Sequence, residues 1–145
     1  MMDVMSALPV STPHPAATEL HRWTLDSYHE LGSLRASLRE VVTGGAVSED
    51  AELDDLFDRM AVVATELATN ALRHGLPPTV VRLLRDRARL ILDVADHDLT
   101  APPELVDGRP LGAGGLGLQL TQTFAVEVGW YITDATKHVW ASFPG

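Results

Sequence analysis

One segment constrains the fold more than any other: EDAELDDLFDRMAVVATELATNALRHGLPP, residues 49–78. Leu53, Leu56, Met60, Val63, Leu67 and Ala71 recur at spacings of three and four, the stripe of a helix with one buried face. The pattern predicts a helix from about residue 50 to His74. Ser48 and Asp50 are candidate caps, and Gly75 with Pro77 and Pro78 supplies the stop. Within it Glu66, Asn70 and His74 follow one another at intervals of four. Four residues advance an α-helix by about 400°, so each lies only about 40° around from the last. Three polar groups thus form a line beside a stripe that ought to be sealed.

The partners for such a helix come from the rest of the chain. With 145 residues and 46% hydrophobic content, the sequence holds apolar material for one ordinary core. ELHRWTLD, residues 19–26, has the partial alternation of a short strand. In YHELGSLRASLREVV, Leu31, Leu34, Leu38 and Val41 mark an amphipathic helix that TGG at 43–45 ends. TVVRLLRD and RARLILDVAD read as a hairpin turning at Arg85, Asp86 and Arg87, and EVGWYIT with KHVWASF as a closing hairpin over DAT. Between the hairpins, residues 97–113 carry three prolines and no periodicity, and GAGGLGLQLTQTFA passes from a glycine-rich turn into a short helix. A long structureless connection is more often a functional lid than filler. The order predicts an α+β fold, a two-layer sandwich with a mixed, mostly antiparallel sheet covered on one face by helices. Residues 1–18 are expected to be a flexible tail, since so little apolar area cannot offset the entropy of ordering, and residues 19–145 a single domain.

Charge and composition exclude several functions. A net charge of -9 and a pI near 4.9 oppose nonspecific attraction to nucleic acid or anionic membrane. The chain has no cysteine, hence no disulfide or thiolate metal site. No apolar run reaches membrane-spanning length, and the N-terminus lacks a basic n-region, so a cytoplasmic protein is the default.

Three constellations carry chemistry. Asn70 offers a neutral oxygen suited to a hard cation such as Mg²⁺, and Glu66 a carboxylate base one turn away; on one helix alone, a solvated, helix-stabilising polar pair is the favoured reading. The glycines of GAGGLGLQL, residues 112–120, let a phosphate approach the free N–H groups at a helix start, although a plain tight turn has the same composition. Asp96 ends an apolar strand beside the proline-rich loop, where it either caps a turn or meets a ligand.

Taken in order, ELATNALRHG, then VAD closing a strand, then a long loop, then GGLGLQL, then TKHVWASF, the chain resembles the Bergerat-fold (GHKL) ATPase superfamily. The resemblance covers roughly residues 19–143. Within the superfamily the short chain resembles the anti-sigma-factor serine/threonine kinases of actinobacterial and bacillary type. The resemblance implies ATP and Mg²⁺ as cofactors, with Glu66 as general base and Asn70 as the Mg²⁺ ligand. It puts Arg73 near the phosphates and His74 along the nucleotide. It makes Asp96 the acceptor of the adenine amine. Gly112, Gly114, Gly115, Leu116, Gly117 and Leu118 would close over the phosphates, with 97–113 as the ATP lid. It also implies a sigma factor and a STAS-type anti-sigma-antagonist as partners, possible homodimers, and neither nucleic acid nor membrane as ligand. The alternative is a degenerate nucleotide-binding module that sequesters a regulatory partner without catalysis. Two departures stand out: Asp96 is followed by His97, Asp98 and Leu99 where the family has glycines, and His138 occupies the last-strand position where a threonine often supports the adenine contact.

Overall fold

The computed structural model describes residues 10–13, 16–44, 51–100 and 121–144. Strand β1 is Thr18–Leu25; a single 3-10 turn over Tyr28–Glu30 leads into helix α1, Leu31–Thr43. The Glu30 carboxylate closes that entry by accepting the backbone N–H groups of Asp26 and Ser27 at 2.8 and 3.2 Å. Gly44 ends α1 in the left-handed region, φ 76°, where its N–H reaches the Glu40 carbonyl at 2.8 Å. Helix α2 is Ala51–His74, with the boundaries its stripe predicts at the C-terminal end.

The two hairpins follow. Strands β2, Thr79–Asp86, and β3, Arg89–Asp96, turn through Arg87 and Ala88, one residue later than the sequence suggests, with Arg87 at φ 55° in place of a glycine. After a helical turn at 121–124 come β4, Glu127–Ile132, and β5, Lys137–Pro144. The five strands form one antiparallel sheet in the order β1-β2-β3-β5-β4. The α+β sandwich is therefore as the sequence predicts. Ser48 and Asp50 lie outside the described residues.

Alternation divides the sheet. Val81 and Leu83 on β2, Leu90, Leu92 and Val94 on β3, and Ala141 and Phe143 on β5 face the helices and pack with Leu34, Leu38, Phe57, Met60, Val63 and Leu67. The opposite face holds a smaller cluster of Leu84, Ile91 and Trp140. Part of the segment expected as a tail is seated there. Val10 bridges to Trp130 at the edge of β4, the Ser11 N–H donates to the Trp130 carbonyl at 2.9 Å, and Trp140 Nε1 donates to the Ser11 carbonyl at 2.7 Å. Gly129 makes this approach possible, because a Cβ there would collide with the Ser11 hydroxyl and the Trp140 indole. Among the described residues, no helix is long and apolar enough to cross a membrane.

Candidate functional site

Helix α2 lies on the sheet with Leu67, Ala68 and Ala71 buried beneath it, so its Glu66–Asn70–His74 line runs along the margin of the buried stripe. Glu66 and Asn70 are half-buried; Arg73 and His74, in the last turn, are exposed. The helix ends at Gly75, whose N–H donates to the Ala71 carbonyl at 2.8 Å. A Cβ at Gly75 would overlap the Asp96 carboxyl. The missing side chain is thus what lets the end of α2 and the end of β3 meet.

Asp96 faces the helices like Val94 two residues before it and is 5% exposed. Its Oδ1 accepts the Asp98 N–H at 2.8 Å. Its Oδ2 lies 3.7 Å from Lys137 Nζ, across the register pair Asp96↔Lys137. Burial pushes the Asp96 carboxyl above its ordinary range, outweighing the opposing pull of the Asp98 N–H and of Lys137. The segment expected as a lid starts in an ordered way at residues 97–100. His97 donates its N–H to the Leu76 carbonyl at 3.0 Å and brings Nδ1 to 3.1 Å from the Pro78 carbonyl oxygen. The Asp98 carboxylate turns onto the Thr100 hydroxyl and N–H at 2.5 and 2.9 Å, bonds that hold it below the usual carboxylate range. The negative charge that stands where the family has glycine is thereby engaged with its own turn.

His138 is on the other face. Its Nδ1 lies 2.7 Å from Asp93 Oδ1 and its Nε2 2.6 Å from Thr136 Oγ1, and its ring stacks on Tyr131 at 4.4 Å. The expectation that His138 occupies the base-supporting position is corrected: a one-residue step along a strand reverses the face, and Lys137 is the residue beside Asp96. Thr79 completes the picture. It lies one step beyond the pair Val80↔Ala95, on β2 beside Asp96, and shares the inward face of Val81. It is fully buried, and among the described residues its hydroxyl has no hydrogen-bond partner. The signal for both was present in the alternations Thr79-Val81-Leu83 and Lys137-Val139-Ala141-Phe143, which put each on the buried face.

Gly112, Gly114, Gly115, Leu116, Gly117 and Leu118, and residues 101–113 of the expected lid, lie outside the described residues. Among the described residues no group of three or more His, Asp or Glu stands ready for a metal. Magnesium is commonly held by one or two protein oxygens together with substrate phosphates, and the Asn70 amide oxygen with Glu66 one turn away fits that kind of site. A buried carboxylate flanked by a buried hydroxyl, unpartnered among the described residues, and an ammonium likewise fits the polar edge of a base.

Residues 27–143 match the family model of the histidine kinase-like ATPase domain. No curated protein matches the chain.

Proposed function

Since the chain belongs to the histidine kinase-like ATPase domain family, we propose that it is an ATP-dependent serine/threonine-protein kinase of the anti-sigma type. In this reading it acts in the cytoplasm as a homodimer, holds a sigma factor and phosphorylates a STAS-type anti-sigma-antagonist. The observation that supports the nucleotide half is the contact of Gly75 with Asp96. It joins an acceptor for the adenine amine to the Glu66–Asn70–His74 line, so one end of α2 meets the base and the preceding turns run toward the phosphates.

Each residue has a distinct task. Asp96 selects the base; Asn70 would hold Mg²⁺, which would supply neutralisation of phosphate charge; Arg73 and His74 flank the nucleotide. Glu66 takes the proton from a serine hydroxyl of the partner as that oxygen attacks the γ-phosphorus. The new O–P bond forms while the bond to the β,γ-bridging oxygen breaks, and ADP leaves. Phosphoryl transfer needs mainly positioning and charge neutralisation, so this small set suffices.

Calorimetric titration of ATP with and without Mg²⁺ tests the first half. The expected result is Mg²⁺-dependent binding that Asn70→Ala weakens by at least about tenfold, equivalent to roughly 1.4 kcal/mol. No binding at millimolar ATP would leave only the partner-sequestering module. Transfer of labelled γ-phosphate to the antagonist tests the second half: Glu66→Ala should keep ATP binding and lose transfer by about 10²–10⁴-fold. Label recovered as acid-labile phosphohistidine rather than phosphoserine would overturn the serine-kinase assignment.

A further inference from the structure

Thr79, Asp96 and Lys137 stand side by side on three neighbouring strands, β2, β3 and β5, all on the face toward the helices. Their side chains offer a hydroxyl, a carboxylate and an ammonium in that order. The row therefore reads donor, acceptor, donor. Adjacent strands are spaced by about 4.8 Å, so the Thr79 and Lys137 backbones flank that of Asp96 at comparable distances.

Adenine presents the complementary order along one edge: the N1 acceptor, the N6 amine donor and the N7 acceptor. We infer that Thr79 and Lys137 are specificity-determining residues for the base, donating to the two ring nitrogens that flank the exocyclic amine accepted by Asp96. The inference rests on the nucleotide-binding reading above and extends it to two residues that reading does not use. A 6-oxopurine reverses the middle of the edge, placing a carbonyl oxygen against the carboxylate, and is rejected.

Two observations support it. The Thr79 hydroxyl is fully buried with no partner among the described residues, a costly arrangement for a fold that gains nothing from it, since valine has the same shape. Asp96 Oδ1 already accepts the Asp98 N–H at 2.8 Å, whereas Oδ2, the oxygen on the Lys137 side, has the longer 3.7 Å ion pair and lone pairs able to accept an amine hydrogen.

The test is binding of ATP, ITP and 7-deaza-ATP to the wild type, Thr79→Val and Lys137→Met by calorimetry, with the melting temperature of each nucleotide-free protein. The wild type should prefer ATP to ITP by at least about 100-fold. Thr79→Val should lose about 3- to 10-fold in ATP affinity while melting no lower than the wild type, because it removes a buried unsatisfied hydroxyl. Lys137→Met should lose a similar factor. The penalty for replacing N7 by carbon should vanish in whichever variant lacks the donor to N7. If the wild type binds ATP and both variants bind it equally well, the inference fails and the nucleotide reading stands; if the wild type binds no ATP, both fall. Should Lys137→Met not fold, Thr79→Val alone decides.

Discussion

Two aspartates three residues apart on β3 occupy opposite faces of the sheet. Asp93, fully buried, has both oxygens engaged at close range: His138 Nδ1 at 2.7 Å on Oδ1, and on Oδ2 the Tyr131 hydroxyl donating at 2.6 Å, with Arg82 at 3.4 Å. Burial beside that carboxylate drives the Tyr131 phenol well above its ordinary range, so it stays a neutral donor. Asp96 has one backbone N–H, a lysine at longer range and, alongside, a threonine hydroxyl with no partner among the described residues. A closed network of this kind holds a sheet together, whereas an incomplete one in the same sheet is the expected mark of a ligand edge.

The largest effect that sharpens this contrast is expected at the closed network. Asp93→Ala removes the acceptor for three groups at once and should cost about 3–5 kcal/mol of unfolding free energy, read by urea denaturation. A cost below about 1 kcal/mol would mean that the two aspartates do not differ in kind. Next is Gly75→Ala. Its methyl group meets the Asp96 carboxyl and the Ala71 carbonyl oxygen, the latter part of the helix backbone, so relief requires moving the strand end. The expected loss is about 1–3 kcal/mol in stability, together with weakened ATP binding. Retained ATP affinity would separate Asp96 from the nucleotide.

The smallest effect concerns pH. Because the folded state raises the Asp96 pKa, protonation favours the folded state. The stability contribution of Asp96 is therefore greatest below the ordinary aspartate value of 3.8 and is lost as pH rises through the raised folded value. The melting temperature of the wild type, measured against Asp96→Asn across that interval, should shift in favour of the wild type as pH falls. A difference that is flat with pH would show that Asp96 is not desolvated.

Much of the fold was legible because its signals are redundant. The stripe of α2 repeats over six positions, and each strand of the two hairpins carries several alternating residues, so one ambiguous residue does not change the reading. The candidate site was legible only where one residue carried its own signal: Asp96 ends an apolar strand, and Glu66, Asn70 and His74 keep helical spacing. Lys137 and His138 differ by one step, and only the register decides which faces the helices. Thr79 looks like an ordinary strand residue; its meaning lies in a hydrogen bond that is missing, which composition cannot express. The seat of Val10 and Ser11 on β4 depends on partners far along the chain and on the bare backbone of Gly129, so a local reading of a polar, proline-rich segment has nothing to detect.

That seat also bears on how the protein is made. Ser11 and Trp140 are 129 residues apart, so the clasp between them forms only after Trp140 has left the ribosome. Leu84 and Ile91 emerge well before Trp140 and must wait for it. During synthesis the outer side of the first hairpin is consequently an uncovered sticky surface. Closing it late, with a segment made well before its partner, makes the clasp of Ser11 on Trp140 a late fastening of the newborn domain.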